Sequence, residues 1–434
     1  MTDISENSTP HPRLSGQGPS LLVVGGGAAG FFCAVNAARL NPALQVTILE
    51  KSTRVLAKVR VSGGGRCNVT HACFDNTALL KNYPRGKNFL KKTFHWFAPG
   101  DTVEWFAQRG VGLKIEADGR IFPVTNQSQS IIDCLLKEAD RYGVRVQLQT
   151  GVEAIQPSEN GFNLETSRGP LSSTFVCIAC GGFPKSGQFD WLRSLGHTVV
   201  DPVPSLFTCN IPGNPVTSLM GVSVGRVRVK IAGTPLEEEG PLLITHWGMS
   251  GPAILRLSAA GARTLAEMQY RFDLRVNWLP DYREQQLRDR WHPLRNEFAA
   301  QKIGGKNPFG LPGRLWNYLL EQSGISPGIR WSELVSAQQQ KLIQLLSGQV
   351  FQVLGKTTFK EEFVTCGGIS LSEIDPNTME SRIVPKLYFA GEIMDVDGVT
   401  GGFNFQHAWT SGWLGARSIA GSATPSPDKV QIVP

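Results

Sequence analysis

An apolar run, a glycine cluster and a largely apolar helix follow one another near the start of the chain. The four aliphatic residues at 21–24 predict a short buried strand that ends at Gly25. Few helix-breaking residues occur between positions 31 and 40, so we expect a helix there. Residues 45–50 predict a second strand. This strand–helix–strand order is typical of an α/β fold.

The pattern changes twice further along the chain. In the segment 205–275, apolar residues such as Val227 and Val229 alternate with arginines and lysines, which predicts antiparallel strands with one face in water. The segment 279–349 carries many charges and predicts a mostly helical subdomain. From residue 366 the chain returns to short apolar strands and glycines, and it ends in a helix with small residues on one face.

The first glycine cluster predicts a dinucleotide site. Gly25, Gly27 and Gly30 fit the pattern G-x-G-x-x-G, in which the first glycine turns the chain and the second admits a pyrophosphate. The third lets helix and strand pack closely, and the helix N-terminus offers free N–H groups to phosphate. Glu50 lies 20 residues beyond Gly30, where a carboxylate binds a ribose hydroxyl pair. An acid there disfavours a 2′-phosphate, so the pattern predicts FAD or NAD rather than NADP.

Two further glycine segments predict close approach of the backbone to the same cofactor. The glycines at 63–65 precede Arg66, which we interpret either as a partner of a phosphate or cofactor carbonyl or as an ordinary surface arginine. Gly181 and Gly182 follow a buried strand and let the chain pass near the cofactor.

The third glycine pair, Gly401 and Gly402, begins the last helix of the chain. The positive end of that helix would stabilise charge that develops at N1–C2=O of a reduced flavin. Asp395 and Asp397 lie just before it and are candidates for binding ribityl hydroxyls. The alternative interpretation is two solvated loop carboxylates.

Composition narrows the class of protein. The chain has 434 residues, enough for two or three domains, and no apolar run long enough to span a bilayer. Its polar start lacks the features of a secretion signal, so we expect a cytoplasmic protein. The eight cysteines show no framework spacing and are expected to be reduced thiols. We interpret the pair Cys177 and Cys180 as structural, and no metal site is predicted.

The charge balance permits a phosphate-rich partner. The formal net charge is +7 and the pI is near 9.0. Residues 81–97 interleave basic with aromatic side chains, a pattern that suits nucleic-acid binding through phosphate contacts and base stacking. The alternative is an amphipathic helix that turns its aromatic residues inward and its lysines outward.

Several blocks together resemble the BaiN/RdsA family of bacterial NAD(P)/FAD-dependent oxidoreductases. They are VVGGGAAG, LEK, KVRVSGGGRCNVT, IACGGFPKSG, THWGMSGPA, TCGGIS and LYFAGEIMDVDGVTGGFNFQHAWTSG, and they cover nearly the whole chain apart from both tails. The resemblance implies a Rossmann-like FAD-binding domain of the two-dinucleotide-binding-domain type, with an inserted antiparallel β domain that carries a helical subdomain. The chain departs from the family pattern at His71, where similar proteins often have Asn.

The expected boundaries follow from the resemblance and the residue patterns together. We expect a disordered tail at 1–19 and the two parts of the FAD-binding domain at 20–204 and 366–422. The insert comprises a first β-rich part at 205–278, the helical subdomain at 279–349 and a return strand at 350–365, and a second tail occupies 423–434.

The resemblance also implies a set of cofactor contacts. The pyrophosphate would lie against the first glycine loop, the adenosine ribose against Glu50, the adenine against the backbone of Val152, and the flavin against the two remaining glycine-rich blocks. The residues expected to bind the cofactor are Gly25, Gly27, Ala28, Ala29, Gly30, Glu50, Lys51, Lys58, Ser62, Arg66, Cys67, Asn68, Val152, Ala179, Gly181, Gly391, Glu392, Asp395, Gly401, Gly402, Phe403 and Asn404.

The chemistry implied by the resemblance is reduction of an activated C=C bond by hydride from reduced flavin. The substrate is either uridine in ribosomal RNA, giving dihydrouridine, or a small unsaturated or amine compound; DNA is not expected. Such a reduction needs an acid, and Cys67 or Cys366 is the candidate, the alternative being small packed thiols. NAD(P)H is expected as a transient electron donor, the alternative being another protein that supplies the electrons. A flavin-containing RNA-binding factor without turnover remains a further alternative.

Overall fold

A five-stranded parallel sheet forms the centre of the computed structural model, which describes residues 18–357 and 364–423. The strand that precedes the first glycine loop lies in the middle of this sheet, and the strand nearest the C-terminus lies at one edge. In spatial order the strands are Leu387–Phe389, Phe175–Ile178, Ser20–Val24, Gln45–Leu49 and Arg145–Gln147. The predicted α/β fold is therefore confirmed, and both ends of the described chain contribute to one sheet.

The first helix begins earlier than the sequence pattern predicts. It spans Ala28–Leu40, whereas a start at residue 31 was expected. Gly27 takes an extended conformation as its N-cap, and the alanines that follow are strong helix formers, so the helix begins directly at the glycine loop. Phe31 and Phe32 are fully buried in the core below the sheet.

The C-terminal helix, Phe403–Ser422, packs along the first helix. Its small residues allow this close approach, because a Cβ atom at Gly412 would lie 2.7 Å from the carbonyl oxygen of Ala29. The predicted row of small residues on one helix face is thus what brings the C-terminal glycine block to the N-terminal one.

Several smaller elements surround the parallel sheet. Short helices span Ala57–Gly65, Asn76–Leu80, Lys87–Thr93, Pro99–Ala107, Gln129–Arg141 and Asp190–Arg193. One antiparallel sheet contains Thr70–His71, Arg120–Pro123 and Leu113–Ile115, and a second contains Val152–Ser158, Gly161–Thr166 and Leu171–Ser173. In the segment 81–97, Tyr83, Phe89 and Phe94 are buried and the lysines are exposed, which agrees with the amphipathic interpretation.

The inserted β domain is an antiparallel seven-stranded sheet. Its strands, in spatial order, are Gln349–Leu354, Arg271–Asn277, Ser223–Ile231, Glu237–Ile244, Gly248–Ser250, Thr208–Asn210 and Lys356–Thr357. Val227, Val229 and Ile231 are fully buried, so the alternation seen in the sequence corresponds to one dry and one wet face. The helices Pro252–Ala260 and Ala262–Glu267 also belong to this insert.

A helical subdomain completes the insert, as the charge-rich segment predicts. Its helices span Glu284–Glu297, Gly313–Gln322 and Ser336–Gly348. Four fully buried tryptophans fill its core together with the neighbouring sheet: Trp278, Trp291, Trp316 and Trp331. The strands Val199–Pro204 and Thr365–Ile369 pair with each other and lead into and out of the insert.

Parts of three predicted segments lie outside the described residues. These are most of the tail 1–19, most of the tail 423–434, and positions 358–363 within the predicted return strand 350–365. Among residues 18–357 and 364–423, no helix is both long and apolar enough to cross a membrane.

Candidate active site

A cleft of about 690 Å³ lies between the parallel sheet and the inserted β domain. Its walls contain all three glycine-rich blocks, although these are far apart in sequence. The predicted cofactor residues that line it are Gly25, Gly27, Ala28, Ala29, Glu50, Lys51, Lys58, Ser62, Asn68, Ala179, Gly181, Gly391, Glu392, Gly401, Gly402 and Asn404. Its volume falls in the range of ordinary small-molecule and cofactor sites.

The three glycines of the first loop have three different surroundings. Gly25 has a φ of +114°, and a Cβ atom there would lie 2.5 Å from the carbonyl oxygen of Ala179, just after the neighbouring strand. At Gly30 a Cβ atom would collide with the carbonyl oxygen of Gly25. A Cβ atom at Gly27 would meet no protein atom within 4 Å and would project into the open cleft. Only Gly27 therefore exposes bare backbone to a ligand at the helix N-terminus.

Glu50 is held in place at the cleft wall by backbone N–H groups. Its Oε2 accepts a hydrogen bond from the N–H of Gly26 at 2.9 Å, and its Oε1 accepts one from the N–H of Ser52 at 2.8 Å. These bonds fix the carboxylate just beyond the end of the second strand, where a ribose would reach it.

The second glycine block forms a kinked turn rather than a regular helix. Gly63 and Gly64 have φ values of +58° and +68°, a conformation that favours glycine, and both line the cleft. Asn68, oriented to satisfy its hydrogen bonds, donates to the carbonyl of Thr70 and accepts from the N–H of Gly402. This residue therefore joins the second glycine block to the third.

The third block directs a helix N-terminus at the cleft. Gly402 is the N-cap of the C-terminal helix and has a φ of +93°. Asn404 lines the cleft, but its amide bonds to both the N–H and the carbonyl of Gly398, so it holds the loop in shape. The positive helix end faces the same space as the Gly63 turn, which suits an anionic or electron-rich ring edge.

Lys58 and Glu392 link two walls of the cleft. The Lys58 Nζ lies 2.6 Å from Glu392 Oε2, and Glu392 Oε1 accepts a hydrogen bond from the N–H of Thr365 at 2.8 Å. The pair joins the segment Ala57–Gly65, which contains the second glycine block, to the C-terminal part of the fold.

Two predicted carboxylates are engaged with other side chains outside the cleft lining. Asp395 pairs with Arg263 at 2.9 Å, and the fully buried Asp397 pairs with Arg85 and accepts a hydrogen bond from the hydroxyl of Ser205. Burial raises the pKa of Asp397, and the Arg85 guanidinium opposes that shift. Neither residue lines the cleft, and a role of either one in binding ribityl hydroxyls stays a prediction.

Neither candidate proton-donating cysteine lines the cleft. The Cys67 thiol is fully buried, and burial raises its pKa to about 12. Cys366 is also fully buried, and its pKa is raised by the same cause. Both positions favour the alternative interpretation of packed thiols.

Four other predicted residues also lie outside the lining. Arg66 pairs with Glu116 at 2.6 Å and covers the ring of Phe122, while Phe403 is buried and stacks on His71. Gly30 packs against the carbonyl oxygen of Gly25, and Val152 begins the strand Val152–Ser158. Direct contact of these four residues with the cofactor stays a prediction.

Sequence reasoning missed the residues that the insert contributes to the cleft. Arg120, on the strand Arg120–Pro123 outside the insert, lines the cleft and was also missed. The insert residues are mainly apolar or carry hydroxyls, and they are Leu206, Phe207, Thr208, Ser250, Leu255, Thr357 and Val364. No local motif marks them, because they reach the cleft only through long-range packing of the insert.

His407 was also missed, although it lies five residues beyond Gly402 on a helix that was predicted. It lines the cleft, is buried, and its Nε2 lies 3.2 Å from the carbonyl oxygen of Gly391. Burial lowers its pKa to about 4, so the imidazole is neutral at physiological pH.

The comparisons with known proteins agree with this arrangement. The HI0933-like protein Rossmann domain matches residues 19–418. The chain belongs to this family. Membership confirms the predicted class, a FAD-dependent oxidoreductase with a Rossmann-type fold.

Two curated relatives match the chain over most of its length. The 3-dehydro-bile acid delta(4,6)-reductase of Clostridium scindens is 30% identical over 92% of this chain and 98% of its own. The ribosomal RNA dihydrouridine synthase of Escherichia coli is 31% identical over 92% of this chain and 97% of its own. Each match covers nearly the full length of both proteins, so the family architecture extends across nearly all of this chain.

A solved structure shares the fold at low sequence identity. The 3-ketosteroid delta1-dehydrogenase of Sterolibacterium denitrificans has a TM-score of 0.50 and 12% identity, and the match covers 93% of this chain and 99% of that one. At this identity the likeness concerns the fold alone.

Proposed function

We propose that this HI0933-like protein uses FAD to reduce the activated C=C bond of uridine in ribosomal RNA, giving dihydrouridine. The proposal rests on one observation: a single cleft contains the glycine-rich residues that suit a dinucleotide and, at its other end, residues of the insert. Relatives named for dihydrouridine synthesis in ribosomal RNA, at 31% and 27% identity, support this choice of substrate.

The residues present fit FAD. The bare backbone at Gly27 and the N-terminus of the first helix would hold the pyrophosphate, and the fixed carboxylate of Glu50 would hold the adenosine ribose. The Gly63 turn and the N-terminus at Gly402 would hold the flavin end. When bound and reduced, FAD supplies the hydride.

The insert supplies the walls that position a substrate. Leu206, Phe207 and Leu255 give an apolar surface that excludes water from the reacting end of the cleft. Among the described residues the Ser250 hydroxyl makes no hydrogen bond, so we assign it to orienting a substrate carbonyl. Since neither cysteine reaches this space, we look to the hydroxyls or a bound water for the proton.

We also propose NAD(P)H as the transient electron donor. The whole sequence contains one strand–G-x-G-x-x-G–helix unit with its acid, so the nicotinamide compound would lack a permanent site of its own. Anaerobic bleaching of the flavin absorbance by NADPH or NADH would support this donor, and unchanged absorbance with both would contradict it.

The decisive experiment is a reaction with defined RNA. FAD-loaded protein, reduced under anoxic conditions, is incubated with an unmodified ribosomal RNA transcript, and the nucleosides are analysed by mass spectrometry. We expect a dihydrouridine peak that requires both reduced cofactor and protein. Its absence, with intact folded flavoprotein, would contradict the proposal.

A second candidate is reduction of a small unsaturated ketone. The apolar walls of the cleft favour it, as does the relative named as a bile acid reductase. Turnover of α,β-unsaturated ketones that exceeds turnover of RNA would favour this candidate over the first. If neither substrate reoxidises the reduced flavin, only the non-catalytic RNA-binding alternative is left.

A further inference from the structure

Four lysines lie on one small region of the surface, which we call the lysine surface: Lys81, Lys87, Lys91 and Lys92. All four are exposed, and the last three lie on the helix Lys87–Thr93. Among residues 18–357 and 364–423, none of them forms an ion pair with an acid. Asp75 lies at the start of the adjoining helix, where its carboxylate caps the N–H of Ala78.

The aromatic side chains interleaved with these lysines do not share their exposure. Tyr83, Phe89 and Phe94 are buried in the core. Trp96 is 42% exposed, but the guanidinium of Arg417 covers its ring at 4.2 Å. The surface therefore offers positive charge and little free ring area, so it suits contacts with phosphates rather than base stacking.

The lysine surface begins at the wall of the cleft. Gly86, the N-cap of its helix, is so close to the cleft residue Val396 that a Cβ atom would lie 2.7 Å from Val396 Cγ2. Arg85, the residue before Gly86, pairs with Asp397, the residue after Val396. The helix that carries three of the lysines is therefore packed directly against a residue of the cleft wall.

We infer that the lysine surface binds the phosphate backbone of the RNA strand whose uridine enters the cleft. This inference rests on the proposed function. A seven-residue helix is about 10 Å long, which matches about three phosphates of one strand. The contacts would position the RNA without reading its sequence, and selection of the base would be left to the cleft.

The test compares two triple variants of the FAD-loaded full-length protein. One is Lys87→Gln, Lys91→Gln and Lys92→Gln, and the control is Lys137→Gln, Lys302→Gln and Lys341→Gln, which removes the same charge from exposed positions elsewhere. Binding of a fluorescent ribosomal RNA fragment is followed by anisotropy between 50 and 300 mM salt. For the first variant we expect the negative slope of log affinity against log salt to become shallower by about 2, with binding about 100-fold weaker at 0.1 M salt.

Several outcomes would overturn the inference. Equal losses in both variants would indicate a general charge effect, and unchanged RNA affinity in the first variant would exclude the surface. Stronger binding of wild-type protein to phosphatidylserine vesicles than to RNA would identify a membrane partner instead. If the first variant binds RNA normally and still forms dihydrouridine, this inference fails while the proposed function stands. If wild-type protein neither binds nor modifies RNA, both fail.

Discussion

The glycines of the first loop differ in function at the scale of single atoms. Gly30 faces the carbonyl oxygen of Gly25, whereas Gly27 faces open cleft. A methyl group would therefore disturb the protein at one position and the ligand at the other. The sequence pattern alone assigns both to the same motif, and only the surrounding backbone separates them.

We predict opposite effects for Gly30→Ala and Gly27→Ala. Gly30→Ala should lower the free energy of unfolding by about 1–3 kcal/mol, because backbone atoms must move to admit the methyl group. Gly27→Ala should cost less, about 0.5–1 kcal/mol because alanine is a poorer N-cap than glycine, yet it should weaken FAD binding because its methyl group occupies the cleft. Urea unfolding and flavin fluorescence titration measure the two effects. Tight FAD binding by Gly27→Ala would contradict the placement of the pyrophosphate.

His407 makes a second prediction at the residue scale. Burial lowers its folded-state pKa from 6.5 to about 4, so below pH 6.5 the unfolded chain binds a proton that the folded chain does not. Stability from this residue is complete above pH 6.5 and falls as the pH drops towards 4. From pH 7 to pH 5 we expect a loss of about 2 kcal/mol.

The matched variant for this prediction is His407→Gln, which cannot titrate and can still donate to the carbonyl of Gly391. Urea unfolding of wild type and variant at pH 7 and pH 5 isolates the contribution of the imidazole. Both proteins should lose stability to other groups, but the wild type should lose about 2 kcal/mol more. Equal losses would show that His407 is not held neutral by burial.

At the scale of elements, the contact between the first and last helices brings the two ends of the cofactor site together. The approach depends on Gly412, whose Cα lies close to the backbone of Ala29. We predict that Gly412→Ala pushes the helices apart and lowers the free energy of unfolding by about 1–3 kcal/mol. Flavin affinity should fall as well, because the third glycine block moves with its helix.

Gly421 provides the control on the same helix. A Cβ atom there would meet no atom within 4 Å, so Gly421→Ala should be neutral or stabilise the protein by up to about 1 kcal/mol. Thermal unfolding of the two variants, with and without FAD, distinguishes the close contact from helix propensity. Equal behaviour of both variants would show that the helix contact tolerates a methyl group.

The elements that the sequence predicts well are those with local signals. The run at 21–24, the glycine loop and the alternation around Val227 each indicate an element without reference to distant residues. The contacts of Asp395 and Asp397 could not be predicted in this way. Their partners, Arg263 and Arg85, are more than 100 positions away in the sequence and meet them only in the folded chain.

At the scale of the whole molecule, two arginine–aspartate pairs tie the insert to the C-terminal part of the fold. Arg85 contacts Asp397 and also donates to the carbonyl of Ala259 in an insert helix at 2.7 Å. Arg263, in the next helix of the insert, pairs with Asp395. Asp395 and Asp397 flank the cleft residue Val396 in the sequence. The two pairs together therefore set the spacing between the insert and the cofactor end.

Burial should make the two pairs unequal in energy. The side chains of Arg85 and Asp397 are 12% and 0% exposed, so Arg85→Gln leaves a buried carboxylate without its partner and should cost about 3–5 kcal/mol. Arg263 is 46% exposed and screened by water, so Arg263→Gln should cost less than about 1 kcal/mol. Urea unfolding of both variants tests the difference. Similar costs for the two would mean that burial does not distinguish the pairs, and that the insert is held over the cleft by its apolar contacts instead.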